Sequence, residues 1–171
     1  MSREARRLRL PLGEVSSLDL KTGWDFRRPE DRRLAWWMVE QDQPEYIILS
    51  PECRAFSTMF RSNWSRMDPR ERQEVEIWGM ETLLFCAELA WHQIQEGRYF
   101  VFEHPLSASS WQTESLQLLA EADGVSRVEI DMCAFGLQVG PDEYSKKPTA
   151  ILTNCEWVRK QLEGRRCDKT H

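Results

Sequence analysis

The sequence predicts an α/β fold, a mostly parallel sheet with helices on both faces. Three observations predict it. Tyr46-Ile47-Ile48-Leu49 is an apolar run too short for a helix and rich in β-branched and aromatic residues, which reads as a strand buried on both faces. Tyr99-Phe100-Val101-Phe102 is a second run of the same kind. Helical patterns precede and separate the two, so strands and helices alternate along the chain. Both runs are stopped by proline, at Ser50-Pro51 and at Glu103-His104-Pro105, because proline has no N–H for the ladder and fixes its own φ. Cys53, Glu103 and His104 are therefore expected just past the carboxyl ends of two strands, the rim where open α/β sheets place ligands. From spacing alone, Cys53 reads equally well as a small buried thiol beside a turn.

The elements follow in order. Residues 1–9 carry Arg3, Arg6, Arg7 and Arg9 and read as a flexible basic arm. A single α/β domain is expected over 10–163 and a disordered tail over 164–171. Val15 and Leu18-Asp19-Leu20 suggest a short strand ending in an acid, the position from which nucleotide-binding sheets contact a ribose; a solvated turn carboxylate is the other reading. Gly23 to Phe26 is a turn, and Asp25 can cap the helix expected from Pro29 to Gln43, whose apolar face is Leu34, Trp37 and Met38. The stretch from Thr58 to Met67 is a surface loop or short helix. Asp68-Pro69-Arg70-Glu71 opens a long helix closed by Gly97. On that helix Ile77, Met80, Leu84, Ala87, Trp91 and Ile94 alternate spacings of three and four, which predicts the buried stripe, and Trp78, Phe85 and Leu89 widen it. A helix around Trp111 to Ala120, a near-edge strand over 125–130, a polar loop over 139–147, a last strand over 148–152 and a short helix over 157–162 complete the series.

Composition narrows the function classes. At 171 residues the chain is long enough for one full core. Its net charge of −5 argues against nucleic-acid binding by bulk charge but leaves a local basic patch open. Five cysteines form no C-x-x-C pair, so a disulfide framework is not expected, a reducing, intracellular compartment is, and no zinc site is readable. No apolar run is long enough to span a membrane. Eight tryptophans are many for this length; most are expected in the core, and a surplus also suits stacking surfaces or a partner interface.

Pro51-Glu52-Cys53-Arg54-Ala55-Phe56-Ser57 resembles the Pro-Pro-Cys-Gln-Gly-Phe-Ser loop of cytosine-5 DNA methyltransferases, and Phe102-Glu103-His104-Pro105 resembles their Glu-Asn-Val segment. A closer resemblance is to a methyltransferase-like domain of some retroelement polyproteins, carried by Asp19 to Phe26, Ser50 to Cys53, Phe102 to Pro105, Phe135-Gly136-Leu137 and Lys147-Pro148-Thr149. It covers roughly residues 17–155. The resemblance implies a Rossmann-like, class I methyltransferase-like fold, truncated at its amino terminus, and S-adenosylmethionine as cofactor. Asp19, Asp25, Ser50 and Pro51 would contact that cofactor. Arg54, Arg61, Lys146 and Lys147 would contact a nucleic-acid substrate, with Asn63 and Arg66 beside them on the loop that closes over a flipped base.

The chemistry these residues would support is addition of a thiolate to carbon 6 of cytosine, which makes carbon 5 nucleophilic enough to take a methyl group. Cys53 would add, Glu103 would contact ring nitrogen 3, and Arg54 or His104 would lower the thiol pKa. Two departures oppose this. The glycine-rich turn that holds the methionine half of the cofactor has no counterpart: only Gly13 precedes Asp19, and no G-x-G occurs anywhere. Glu52 replaces a proline and sets a negative charge beside the thiol. Three readings stand: a nucleic-acid methyltransferase-like domain, complete or completed by a second chain; a non-catalytic relative serving as a nucleic-acid-binding or structural module; and a Cys–His hydrolase using Cys53 and His104.

Overall fold

The structure, a computed structural model, describes residues 16–141 and 143–170. The basic arm, Gly13 and Val15 lie outside the described residues. Chain contacts group into two compact units, Met1–Gln43 and Pro44–His171.

In the first unit, the strand expected at Leu18–Leu20 is instead a 3-10 turn over Leu20–Thr22. Asp19 accepts a bond from the Lys21 N–H at 2.6 Å and receives none of the ladder bonds a strand would need. Helix α1, Pro29–Asp42, starts at a proline and ends at Gln43, which takes a left-handed φ of 43°. Asp25 does not cap it; Asp31, in its first turn, reaches back to the Asp25 N–H at 2.8 Å.

The second unit holds a mixed four-stranded sheet of β1 (Tyr46–Leu49), β2 (Tyr99–Pro105), β3 (Ser126–Asp131) and β6 (Pro148–Thr153), in the order β1-β2-β6-β3. The β1–β2 pair is parallel; β6 runs against both β2 and β3. Three strands thus share a direction, but only one of three pairings is parallel, so the mostly parallel ladder expected from the sequence is not what forms. β1 is an edge strand rather than one buried on both faces. The segment read as a polar loop contains a small hairpin, β4 (Gln138–Gly140) with β5 (Glu143–Tyr144).

Helices cover both faces. Helix α2, Thr58–Arg61, is one turn long. Helix α3, Pro69–Gln95, packs against β1 and β2, over Leu49, Phe100 and Phe102. Its cap is the one the sequence announces: Asp68 accepts from the N–H groups of Arg70 and Glu71 at 2.8 and 3.3 Å. Helix α4, Glu114–Glu121, packs on α3 through buried Leu116 and Leu119. Helix α5, Glu156–Leu162, covers the opposite face, where Val128, Ile130 and Ile151 form a core with Val101 and Leu162. Gln93, fully buried on α3, donates to the carbonyls of Pro44 and Tyr99, both at 2.9 Å, and so ties the entry of β1 to the start of β2.

The residues after α5, expected as a disordered tail, lie along β3. The Asp131 N–H donates to the Arg165 carbonyl at 2.9 Å, and the Cys167 N–H donates to the Asp131 carboxylate at 2.9 Å.

Candidate functional site

β1 ends at Leu49, and Ser50-Pro51-Glu52 lead into Cys53, whose φ and ψ of −90° and 1° start a 3-10 turn over Arg54–Phe56. That turn is anchored by buried Ala55 and Phe56 against α3, so Cys53 is held at the carboxyl end of the sheet, half-buried. β2 ends beside it and β6 begins there, which brings Glu103 and Lys147 to the same rim. The Glu103 carboxylate Oε1 lies 3.6 Å from the Lys147 ammonium. That oxygen is buried and has no hydrogen-bond partner. Lys147 itself holds a left-handed φ of 27°, a conformation rare outside glycine.

The electrostatics do not activate the thiol. Burial pushes the Cys53 pKa above its ordinary value; the carboxylates of Glu103 and Glu52 push the same way, while Lys147 pulls it down. Since the thiolate is the nucleophile, this setting leaves Cys53 mostly protonated at neutral pH.

His104 is not part of this rim. Successive strand side chains face opposite sides of a sheet, so Glu103 faces the rim's side while Phe100, Phe102 and His104 face α3. His104 is fully buried, packed against Phe56, Phe102 and Trp111 with ring centroids 5.7, 5.6 and 6.2 Å away. Its Nδ1 is 2.6 Å from the Ser110 hydroxyl, and its Nε2 is buried without a hydrogen-bond partner. Burial lowers its pKa to about 4, a shift the nearby Pro51 carbonyl only partly offsets. At so low a pKa the imidazole is neutral at pH 7, so it does not lower the pKa of Cys53 by its charge and is a weak base; the setting does not favour the catalytic role expected of His104 or the Cys–His hydrolase reading. Ser110, which no motif singles out, is the partner missed. It is fully buried too, so the pair is a core hydrogen bond rather than an accessible nucleophile and base.

The remaining expected residues divide by unit. In the first, Asp19 is occupied by its own turn: with Thr22 it forms a reciprocal cap. Asp25 is clamped by Arg27 through two bonds of 2.7 and 2.6 Å, which hold its carboxyl below the usual range. In the second, Ser50 is exposed and Pro51 half-buried. Lys146 is exposed, and its carbonyl accepts the Met132 N–H at 2.8 Å. Arg54 lies over the Phe60 ring at 4.4 Å and reaches Glu71 at 3.5 Å. Arg61 and Arg72 both lie over the Trp64 ring, at 4.9 and 4.3 Å. Trp64, Met67, Pro69 and Arg72 line a shallow cavity of about 370 Å³ that Cys53 and Glu103 do not reach.

Among the described residues no group of three or more His, Cys, Asp or Glu could hold a metal ion, and no helix is long and apolar enough to cross a membrane. No family model, no curated protein and no solved structure matches the chain.

Proposed function

We propose that the chain is a methyltransferase-like module that binds nucleic acid and does not transfer a methyl group by itself. The observation that carries the reading is the setting of Cys53: a thiol at the expected rim, next to Glu103, whose pKa is raised rather than lowered. The two acids that would hold the cofactor's ribose and adenine add support, because Asp19 caps its own turn and Asp25 is closed on Arg27. A cofactor would have to break those contacts, and each hydrogen bond to a charged group is worth roughly 1.5–3 kcal/mol.

The nucleic-acid half of the proposal rests on local composition. Five arginines stand between residues 54 and 72, against only Asp68 and Glu71, on a chain whose net charge is −5. Arg54, Arg61 and Arg72 are interleaved with Phe60 and Trp64, the pairing of cation and flat ring that suits phosphate and base together. A second reading, catalysis once another chain completes the site, is favoured by one observation: Glu103 and Lys147 stand paired on the Cys53 rim.

Two titrations of the purified chain test this. Calorimetry with S-adenosylmethionine is expected to show no micromolar binding. Anisotropy with a labelled single-stranded oligonucleotide is expected to show binding that weakens as salt rises and drops on Arg61→Ala combined with Arg72→Ala. Micromolar cofactor binding that disappears on Asp19→Ala, or methyl transfer to the oligonucleotide, would overturn the first half; salt-independent or absent oligonucleotide binding would overturn the second.

A further inference from the structure

The two edges of the sheet are treated differently. At β3 the chain covers the carboxyl end of its own edge: the Arg165 carbonyl takes the Asp131 N–H, and Arg166 reaches the carboxylates of Glu129 and Asp131 at 3.2 and 3.3 Å. At β1, among the described residues, no strand pairs with the outer edge. The Tyr99 N–H donates inward to the Glu45 carbonyl at 2.9 Å, so the alternation of a parallel ladder turns the N–H and C=O groups of Tyr46 and Ile48 outward. These are the residues whose side chains stand open as well, at 42% and 46% of full exposure. Edge strands are usually blunted by lysine, by an inward charge or by proline within the strand. Tyr46-Ile47-Ile48-Leu49 is blunted only by its shortness, four residues, and has none of these; its prolines, Pro44 and Pro51, only bracket it.

A row of outward donors and acceptors at strand spacing is matched by an extended chain and not by a helix. The open face beside it is apolar, with Tyr46 stacked on Tyr99 at 5.0 Å. Exposed glutamates, Glu45 and Glu52, stand at its two ends. We propose that β1 accepts an extended segment of another polypeptide as a fifth strand, apolar at alternate positions and carrying a basic residue at each end. A second copy of this chain is the poorer occupant, because pairing two β1 edges across a two-fold axis sets the acidic ends of each against those of the other. The proposal is independent of the methyltransferase reading: neither cofactor nor nucleic acid enters it.

The test is amide hydrogen exchange on the full chain, followed residue by residue. The probe is a hexapeptide of alternating threonine and valine with a lysine at each end; its twin carries glutamates there. The lysine peptide is expected to slow exchange at Tyr46 and Ile48 roughly tenfold, while Ile47 and Leu49, already bonded to β2, change little. The glutamate twin is expected to leave Tyr46 and Ile48 unchanged. Ile48→Lys should abolish the slowing, and Ile48→Thr, with the melting temperature measured beside it, repeats the test should the lysine variant unfold. Unchanged exchange with the lysine peptide, equal slowing by both peptides, or slowing that follows the concentration of the chain alone would each overturn the proposal.

Discussion

Glu103 and His104 are neighbours in sequence and face opposite sides of one sheet. The sequence marks both as strand-end residues, and in that it is accurate. Assigning them to one site ignored the two-residue period of the strand, which was readable without a structure. The separation has a pH signature. His104 has a folded pKa of about 4 against an ordinary 6.5, so the unfolded chain binds a proton that the folded chain refuses. The stability this contributes is complete above pH 6.5 and is lost as pH falls from there through 4. Between pH 7.5 and 5 the loss amounts to about 2 kcal/mol. Urea unfolding at both pH values should show it in the native chain and not in His104→Gln; an unchanged difference would place the titration elsewhere. At Cys53 the expectation concerns rate. Iodoacetamide should alkylate this thiol more slowly than a cysteine in a short peptide at pH 7.5. Glu52→Gln should speed the reaction and Lys147→Met slow it, each by roughly two- to fivefold, since only the thiolate reacts. Mass spectrometry of the Cys53 peptide reads all three.

At the scale of the element, α3 shows why periodicity alone misassigned a face. Its start, its end and its role against β1 and β2 were legible from Asp68-Pro69, from Gly97 and from its length. The buried side was legible only in its second half. Of the predicted stripe Ala87 is buried, as are Phe85 and Leu89 beside it, but Ile77, Met80 and Leu84 are exposed, at 47%, 39% and 43%, while Leu83, Cys86 and Ala90 are buried. The helix is apolar on more than one side, so spacing cannot choose between the stripes. Gly79 chooses. A Cβ at that position would stand 2.4 Å from the Ala55 Cβ, so the glycine is what lets α3 lie directly on the turn after Cys53. Gly79→Ala should therefore destabilise by about 1–3 kcal/mol through overpacking, although alanine favours a helix. A more stable variant in urea would show that the turn yields easily. The two stripes are separated by a paired measurement: Leu83→Ala should lose about 2–5 kcal/mol, and Leu84→Ala about 0.5 kcal/mol or less.

At the scale of the molecule, alternation of strands and helices was enough to give a layered α/β unit with helices on both faces. It was not enough to give pairing order. The sequence put β1 inside the sheet because its four residues are apolar, yet the structure places it at an edge. Composition cannot distinguish a strand buried by its own chain from one that leaves an apolar edge exposed. The tail misled for the opposite reason. Gly164 to Cys167 carries no periodicity, but its placement comes from backbone groups and from Asp131, which sequence patterns do not reveal. Asp131 is buried, and one of its oxygens already lacks a partner. Ending the chain after Glu163 removes the Arg166 and Cys167 contacts and should cost about 3–5 kcal/mol, the penalty of leaving a buried charge alone. Asp131→Asn in the shortened chain should recover part of that loss. Equal stability of full and shortened chains in urea would mean that the tail contributes nothing.

The order β1-β2-β6-β3 sets β6 between two strands that precede it in sequence. As the polypeptide leaves the ribosome, β1 and β2 can pair, but β3 has no neighbour until Thr153 has emerged and β6 enters the gap. Each β6 contact with β2 spans more than forty residues of chain, and loops of that length must close before any ladder bond rewards them. The sheet of a nascent chain therefore stays open until β6 arrives, and closes in one step when it does. Arrested nascent chains ending before Pro148 should be cut readily by a protease within β3, and those that have released Thr153 should resist it.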